Sequence, residues 1–441
     1  MSNLGALLTS NQSDLDNAIV IGTAERLNGR DLLSLGCKLP KRFQGSNVAL
    51  KISDPLTFIK ALFALDGQVH SVTILSPDLS AEATAVVMNK ADADVLIASL
   101  DELQGDEQFE PVRSSDTKWR LTTSGTTGEP KSVVHTFGNL VRSVKPPRAG
   151  THSPIWGLLY DPSRLAGLQV VLQAIGGGGS LILSEAHDDI ARRVELLVRQ
   201  GCTHLSATPS MWRKILMTPL SDELNLQQVT LGGEIADDRI LSALCKRYPS
   251  ARVTHIYAST ELGVGFAVQD GKAGFPASYL TSMLNGLAMK IMEGILWIKP
   301  SNHVNRPSAA HIRVDDEGYI CTEDRVQIED DRILFLGREA TLVNVGGVKL
   351  QLEVLESKLR NHPMVSDCAF SSIANPILGS VLKLEVVPAH PVEDEKTYKR
   401  EIKSWCRENL QIEAVPAKIE LIKEMALAVS GKMQRVSKCV R

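Results

Sequence analysis

Apolar and polar positions recur along the chain with two different periods, and the change of period predicts the order of helices and strands. Between residues 119 and 288, short β-branched apolar runs are separated by segments in which apolar residues recur every three or four positions. This succession is typical of parallel strands joined by covering helices. The elements predicted here are the helix 165–175, the strand 181–183, the helix 188–200, the strand 203–206, the helix 210–217, the strand 228–231, the helix 237–248 and the strand 252–257.

The regions on either side have a different pattern. Residues 1–115 form a looser α/β region, and beyond residue 288 the pattern changes to short strands with turn signals, which indicates a small β subdomain. The last hundred or so residues begin with strands, continue into a helix and end in a lysine-rich tail. The elements predicted in these regions are the helix 54–65, the strands 71–76, 94–98, 294–299, 310–314, 318–321, 332–335, 341–345 and 348–350, and the helix 353–360. We therefore expect a domain boundary near Gly337–Arg338.

Composition and charge exclude several classes of protein. The 441 residues are 43% hydrophobic and 22% charged, with a net charge of −3, which is ordinary for a globular protein and gives no basic footprint for nucleic acid. No apolar stretch reaches the length of a membrane span, and the first residues lack the basic start and apolar run of a signal peptide. The seven cysteines are scattered and never spaced CxxC. We expect free thiols and a cytoplasmic location.

One segment combines glycines, hydroxyls and a lysine as phosphate-binding loops do. It reads Leu121-Thr-Thr-Ser-Gly-Thr-Thr-Gly-Glu-Pro-Lys131. Glycines let backbone N–H groups approach an anion closely, hydroxyls add donors, and Lys131 adds positive charge. Pro130 stands where a nucleotide-triphosphatase loop needs its second glycine, and a strand pattern follows Lys131. The segment is either a phosphate-binding loop between two strands or an exposed Ser/Thr/Gly loop, and taken alone it favours neither.

Four further motifs follow in order. They are Tyr257-Ala-Ser-Thr-Glu261, Thr322-Glu-Asp324, Gly337-Arg338 and Ser430-Gly-Lys432. With all five motifs spread over about 300 residues, the sequence resembles the superfamily of adenylate-forming enzymes, which contains acyl- and aryl-CoA ligases, peptide-synthetase adenylation domains and firefly luciferase. The resemblance covers nearly the whole chain. It implies an α/β fold with a large N-terminal domain (1–337) of parallel sheets covered by helices plus a small β subdomain, and a small mobile α+β C-terminal domain (338–441).

The resemblance also implies roles for the motif residues toward ATP. The loop over the β- and γ-phosphates would consist of Ser124, Gly125, Thr126, Thr127, Gly128 and Lys131. Gly232, Gly233 and Glu234 would present backbone to adenine, and Tyr257 would stack on its face. Asp324 would hold the ribose hydroxyls with the help of Arg338.

The catalytic residues implied by the resemblance carry the charges that the reaction needs. Thr260 would contact the α-phosphate, Glu261 would bind Mg²⁺, and Lys432 would bring a positive charge to the α-phosphate and the carboxylate, with Lys131 as the second lysine. Each residue has a structural alternative. Glu261 would then simply begin a loop, Asp324 would cap a turn, and Lys432 would be one more charge on the tail. The order of the motifs favours the catalytic roles.

The acid pocket is predicted from segments that lie beside the nucleotide motifs. Its expected members are Trp156, Arg164, Ser206, Pro209, Ser259 and Gly263. Arg164 either contacts the substrate or caps the helix that it opens. With one basic residue and several small ones, this set favours a compact aromatic or medium-length acyl acid. His135, His204 and His255 lie in strand-like runs and are expected in the core or at a sheet edge.

The acceptor of the acyl group is indicated by Gly346 and Gly347, which resemble the glycine pair lining the thiol tunnel of CoA ligases. The alternative for the pair is a turn that needs positive φ. The implied function is ATP-dependent activation of a carboxylic acid followed by transfer to coenzyme A. The second candidate is an enzyme that loads the phosphopantetheine arm of a separate carrier protein, and the third is a non-catalytic nucleotide-binding relative. The position where the family carries a charged hinge residue is Ala340.

Overall fold

The structure is a computed structural model that describes residues 3–12, 14–36, 39–103, 117–123, 131–147, 150, 152–185, 188–284, 286–300, 313–375, 379–428 and 430–434. Its helices are α1 (Leu4–Asn11), α2 (Gly29–Leu35), α3 (Pro55–Leu65), α4 (Ala81–Lys90), α5 (Phe137–Val141), α6 (Leu165–Gly176), α7 (Ile190–Arg199), α8 (Pro209–Met217), α9 (Asp238–Arg247), α10 (Leu352–Arg360) and α11 (Glu395–Asn409). Its strands are β1 (Ala18–Ile21), β2 (Arg26–Asn28), β3 (Asn47–Leu50), β4 (Ser71–Ile74), β5 (Val95–Ile97), β6 (Lys118–Thr123), β7 (Lys131–His135), β8 (Ile155–Leu158), β9 (Ser180–Leu183), β10 (His204–Ala207), β11 (Gln228–Gly232), β12 (Arg252–Ser259), β13 (Gly263–Val268), β14 (Phe275–Pro276), β15 (Leu287–Met292), β16 (Ile295–Pro300), β17 (Ile320–Glu329), β18 (Arg332–Arg338), β19 (Leu342–Val345), β20 (Val348–Gln351), β21 (Val365–Asn375), β22 (Gly379–Pro388) and β23 (Lys418–Leu421).

Two mainly parallel sheets form the large N-terminal part. Within the described residues, eight strands pair in the order β13-β12-β11-β10-β8-β9-β1-β2, and five pair in the order β5-β3-β4-β6-β7. The pairs among β8 to β12 are parallel, while β12–β13 and β6–β7 are antiparallel. The strand and helix alternation read from the sequence is therefore confirmed, with ends that shift by one or two residues.

Helix ends in this part follow local capping chemistry. Asp54, Thr208 and Asp237 each accept a hydrogen bond from a backbone N–H of the first turn of α3, α8 and α9, respectively. Prolines open α3 and α8, where a missing N–H costs nothing. These caps fix the residues at which the helices begin. They therefore also position the loops that join the carboxyl ends of the strands to those helices.

The β subdomain is also confirmed. Its five described strands form an antiparallel sheet in the order β14-β18-β17-β16-β15. The register pairs Asp324 on β17 with Arg338 on β18. This pairing brings the Thr322-Glu-Asp324 motif next to the Gly337-Arg338 motif.

The C-terminal part has its own apolar core. Leu359 of α10, Phe370 of β21, Leu384 of β22 and Ile402 of α11 are fully buried and belong to one cluster. The sequence pattern predicts β19, β20 and α10 but leaves the segment after α10 as a tail. The structure instead places there the sheet β21-β22-β23 and α11, whose buried side chains are spaced four apart among many charges.

Two further observations concern the described part of the chain as a whole. None of its helices combines the length and apolar character that a membrane crossing requires. Its five cysteines are unpaired, and four of them are buried.

Candidate active site

A cavity of about 1190 Å³ runs along one face of the parallel strands β10, β11 and β12, from their first residues to their carboxyl ends. Its wall includes Gly232, Gly233, Thr260, Glu261 and Arg338, which come from two of the sequence motifs and from the turn after β11. It also includes Ser430 and Lys432 from the C-terminal part. Residues far apart in the chain thus meet at one edge of the sheet, where ligands of α/β folds commonly bind.

Lys432 is held in the cavity by its neighbours on a tight hairpin. The backbone N–H of Ala428 donates to the carbonyl oxygen of Lys432 at 2.8 Å, and the hydroxyl of Thr208 donates to the carbonyl oxygen of Gly431 at 2.5 Å. The Cε atom of Lys432 lies 3.3 Å from where a Cβ on Gly233 would be. Burial in the cleft is the main cause that lowers the pKa of Lys432, and the positive charge of the nearby Arg338 lowers it further. The negative charges of Glu234 and Asp324 act in the opposite direction.

Asp324 forms an ion pair with Arg338, which lies on the cavity wall. Nε of Arg338 donates to Oδ1 of Asp324 at 3.1 Å, and the hydroxyl of Tyr257 donates to Oδ2 at 2.6 Å. Burial raises the pKa of the Asp324 carboxyl, and Arg338 and Tyr257 oppose that effect. The carboxylate is therefore oriented by a donor on each oxygen.

The predicted stacking of Tyr257 on adenine is wrong for this arrangement. Its ring is sandwiched between Phe266 and Phe335, with centroids at 5.2 and 5.3 Å and planes tilted by 13° and 3°. Because both faces are covered, Tyr257 orients Asp324 through its hydroxyl instead. The side chain of Glu234 accepts from the backbone N–H groups of Ser210 and Met433, and the expected presentation of its backbone to adenine stays a prediction.

Thr260 and Glu261 follow β12 and line the cavity beside the motif arginine. The donor set for a divalent cation is a single carboxylate from Glu261, which fits Mg²⁺ because that ion is usually held by one or two carboxylates together with phosphate oxygens. No cluster of three or more His, Cys, Asp or Glu that would hold an ion alone is found in the described ranges.

The phosphate-loop candidates Ser124, Gly125, Thr126, Thr127 and Gly128 lie outside the described residues, as does the side chain of Lys131. The flanking strands are described, and they pair antiparallel with Thr123 opposite Lys131. The segment therefore connects two adjacent strands, as the sequence pattern predicts.

Of the predicted acid-pocket residues, Trp156, Arg164, Ser206 and Ser259 line the cavity. Pro209 and Gly263 do not: Pro209 is buried in the first turn of α8, and Gly263 begins β13 with a φ of +70°. Arg164 occupies the N-cap position of α6 without a side-chain capping bond, and its guanidinium donates to Ser76 Oγ at 2.9 Å. Arg164 thus lines the cavity and does not cap the helix, and its contact with the substrate stays a prediction.

Gly346 and Gly347 are not brought to this cavity. They form the exposed two-residue turn between β19 and β20, with φ of +58° and +91°, as a type I′ turn requires. No atom lies within 4 Å of a Cβ added to either glycine. Ala340, at the expected hinge position, sits in the short turn Glu339–Thr341 between the last strand of the β subdomain and β19.

Several cavity residues are absent from the sequence prediction. They are Arg142, Tyr160, His204, Gln228, Thr230, Arg252 and Thr254. A signal for most of them exists, since β10, β11 and β12 each begin with alternating polar and apolar residues, which is unusual in a parallel sheet covered on both faces.

Comparison with known proteins assigns the family. A family model described as AMP-binding enzyme matches residues 101–294, and one described as AMP-binding enzyme C-terminal domain matches residues 354–432. The chain belongs to the AMP-binding enzyme family. It is an adenylate-forming ligase.

Individual members of the family are similar along nearly their whole length. The D-alanine–D-alanyl carrier protein ligase of Staphylococcus aureus is 23% identical over 459 residues, covering 94% of this chain and 93% of that relative. The crystal structure of an anthranilate CoA ligase with anthranoyl-AMP superposes with a TM-score of 0.78 at 15% identity, covering 98% of this chain and 95% of that one. An o-succinylbenzoate coenzyme A synthetase from Bacillus subtilis, in complex with ATP and magnesium, has a TM-score of 0.70 at 20% identity and covers 97% of each chain. The fold is shared at these identities.

Proposed function

We propose that this AMP-binding enzyme joins a carboxylic acid to the thiol of coenzyme A through an acyl-adenylate. The observation that carries the proposal is the meeting of Lys432 with Gly233, Arg338, Thr260 and Glu261 on one cavity wall. Cations and hydroxyls gathered from both parts of the chain suit a reaction in which negative charge builds on a phosphate.

In the first step, a carboxylate oxygen attacks the α-phosphorus of ATP, and the bond to pyrophosphate breaks. Lys432 would hold the carboxylate and the α-phosphate together, with Thr260 beside it, and Asp324 and Arg338 would hold the ribose. Glu261 would bind Mg²⁺, which neutralises phosphate charge when present. In the second step, a thiolate attacks the acyl carbon, the thioester forms, and AMP leaves with the electron pair of the C–O bond.

The two parts of the chain would have separate tasks in these steps. We infer that residues 1–337 bind ATP and the acid, and that residues 338–441 move as a unit between the two half-reactions. The separate core of the C-terminal part supports this inference, and the turn around Ala340 supports a pivot there. The unpaired cysteines of the described part support a reducing, cytoplasmic setting.

Transfer to the phosphopantetheine arm of a carrier protein is the second candidate. The similarity to a carrier protein ligase along 94% of the chain favours it, whereas the Gly346–Gly347 pair supports coenzyme A. Both acceptors present the same thiol, so the two candidates share the first half-reaction.

Acid-dependent ATP–pyrophosphate exchange over a panel of aliphatic and aromatic acids tests the proposal. We expect exchange with at least one acid and its loss by at least about a hundredfold in Lys432→Ala, as for removal of a group that stabilises transition-state charge. Lys423→Ala is the matched control, because Lys423 is exposed on the segment that leads to the same hairpin. No exchange with any acid from the folded protein would revive the non-catalytic alternative. Offering coenzyme A and a phosphopantetheinylated carrier protein then identifies the acceptor.

A further inference from the structure

The floor of the cavity beneath α6 is polar where a covered parallel sheet is normally apolar. On the far face of the sheet, Leu205, Val229 and Val253 pack into an apolar core. The residues that alternate with them face the cavity, and nearly all are polar: His204, Ser206, Gln228, Thr230, Arg252 and Thr254. Burying polar groups costs free energy unless they have partners, so this floor requires an explanation.

Strand register places four of the lining side chains side by side. Trp156 on β8 is the neighbour of His204 on β10, His204 is the neighbour of Gln228 on β11, and Gln228 is the neighbour of Arg252 on β12. Adjacent strands lie about 4.8 Å apart, so the four residues form a continuous row across the sheet. We call Trp156, His204, Gln228 and Arg252 the polar row.

The polar row is ordered internally but keeps unused donors. Nε of Arg252 donates to Oε1 of Gln228 at 2.6 Å, and Nε2 of Gln228 donates to the hydroxyl of Thr230 at 2.9 Å. Arg252 is exposed at the start of β12, and no hydrogen bond or ion pair of its terminal nitrogens is found among the described residues. Nε1 of Trp156 is buried and has no hydrogen-bond partner within the same described ranges. A buried donor such as Nε1 of Trp156 is rare, and it calls for a ligand or water that completes it.

Charges around the row favour an anion. Arg252 lies on this side of the cavity. Arg142 also lines the cavity but lies toward the carboxyl end of β12, where its Nη2 donates to the carbonyl oxygens of Leu262 and Val264. The acidic residues among the described lining are Asp161, Glu261 and Glu323, which lie after the carboxyl ends of strands or in the β subdomain. Asp270, close to Arg252 in an adjacent surface depression, already binds Arg332 at 2.6 Å.

We propose that the polar row recognises a second carboxylate at the far end of the acid, so that the substrate is a dicarboxylic acid. This inference rests on the proposed function, because it assumes that the other carboxylate reacts beside Gly233 and Lys432. Gln228 precedes Gly232 by four residues of extended strand, which corresponds to roughly 13 Å. After allowance for contact distances at both ends, the two carboxylates of the substrate are about 8–10 Å apart.

Each side chain of the polar row that can donate a hydrogen bond has its own role in recognising the second carboxylate. Burial, followed by the charge of Arg252, lowers the pKa of His204 to about 4, so its ring is neutral near pH 7. Its Nδ1 is paired with the Thr203 hydroxyl at 2.9 Å, which leaves Nε2 for the ligand. Arg252 supplies the counter-charge, its Nε being fixed by Gln228 and its terminal nitrogens directed to ligand. Trp156 supplies an N–H and a ring that packs on His204 with centroids 5.0 Å apart.

The test compares acids of equal length with and without the second carboxylate. Exchange is measured with hexanoate against adipate, octanoate against suberate, decanoate against sebacate, and cinnamate against 4-carboxycinnamate, alongside the wider acid panel. We expect the diacid of best length to exceed its monoacid by at least about tenfold in kcat/KM, the factor that one charge-assisted hydrogen bond supplies. Suberate has the carboxylate separation that the strand geometry indicates.

Substitutions in the polar row test whether these residues cause the preference for diacids over monoacids. Trp156→Phe removes the N–H and part of the ring, and Arg252→Gln removes the charge and the terminal nitrogens while keeping a nitrogen at the place of Nε that reaches Gln228. Each should raise KM for the diacid about tenfold and shrink the diacid-to-monoacid ratio, with the melting temperature and KM for ATP unchanged. Arg252→Lys should retain part of the ratio. Arg192→Gln, an exposed arginine on α7, is the control and should leave the ratio intact.

The outcomes separate the inference from the proposed function. Monoacids that are activated as well as their diacids, or an undiminished ratio in both Trp156→Phe and Arg252→Gln, would overturn the inference and leave the acid–thiol ligase in place. An absence of exchange with every acid tried would overturn the proposed function, and the inference with it.

Discussion

Oε1 of Glu234 accepts a hydrogen bond from the backbone N–H of Met433 at 2.6 Å. The other oxygen of the same carboxylate accepts from the backbone N–H of Ser210 at 2.9 Å, at the start of α8. Met433 directly follows Lys432, so one carboxylate of the N-terminal part fixes the hairpin that carries the proposed catalytic lysine. If the C-terminal part moves between the half-reactions as proposed, this contact is made only in the arrangement that brings Lys432 to the cavity.

Glu234→Gln should therefore slow adenylation selectively. A glutamine offers one acceptor instead of two, and its NH₂ group opposes either Ser210 or Met433. We expect about a tenfold or larger loss in ATP–pyrophosphate exchange, the effect of one charged hydrogen bond. Transfer from supplied acyl-adenylate to the thiol should change little. Glu223→Gln, an exposed glutamate outside the cavity, is the control. An equal loss in both half-reactions would show that Glu234 does not act through the docked hairpin.

The pH dependence of adenylation should report Lys432. Its pKa is lowered from the ordinary 10.5, and the protonated form is the one that attracts phosphate and carboxylate. Exchange should hence be present at neutral pH and decline as the pH rises through that lowered pKa. In Lys432→Arg the residual exchange should lack this decline, because arginine stays protonated. The measurement is kcat/KM for ATP between pH 7 and 10.5, and identical profiles for the two proteins would assign the decline to another group.

Glu261→Gln should impair the use of Mg²⁺-ATP without destabilising the fold. Glu261 is half-buried on the cavity wall, and no hydrogen bond of its side chain is found within the described residues. We expect the Mg²⁺ concentration for half-maximal exchange to rise about tenfold or more. The free energy of unfolding should change by less than about 0.5 kcal/mol. A large fall in melting temperature with unchanged Mg²⁺ dependence would mark the residue as structural.

Arg360→Met should destabilise the C-terminal part strongly. Nε of Arg360 lies 2.8 Å from Asp367, its terminal nitrogens lie 3.6 Å from Glu356 and 3.8 Å from Asp237, and all four residues are buried. Without the arginine, buried carboxylates lose their counter-ion, which costs about 3–5 kcal/mol. Urea unfolding measures the loss. Lys358→Met, exposed on the same helix, should be nearly neutral, and comparable effects of the two variants would contradict the role of the buried cluster.

Gly347→Leu separates the tunnel and turn interpretations of the glycine pair. A Cβ at this position meets no atom in the docked arrangement, so adenylation should persist. If the C-terminal part moves to bring the turn beside the thiol, the isobutyl group should block thioester formation. Gly347→Ala is the matched control, since it has the same strain at a φ of +91°, about 1 kcal/mol, with little added volume. Normal thioester formation in Gly347→Leu would refute the tunnel interpretation.

The sequence by itself determined the order of elements from α6 to β12 and the residues of the nucleotide motifs. Both are local: helix and strand follow from hydrophobic period, and the Ser430-Gly-Lys432 string carries its lysine whatever surrounds it. The antiparallel strands around the Leu121–Lys131 segment were predictable for the same reason. The terminal helix α11 was not, because only Tyr398, Ile402 and Cys406 mark its buried face among many charges.

Tertiary structure alone decided what the motif side chains touch. Tyr257 was assigned to adenine, but packing of Phe266 and Phe335 on both ring faces turns its hydroxyl toward Asp324. Glu234 meets Met433 because the C-terminal part docks there, which no local pattern encodes. The polar row depends on strand register, and register is fixed by pairing between segments far apart in the chain. Local sequence therefore determined which residues are available for chemistry, and long-range packing determined which of them meet.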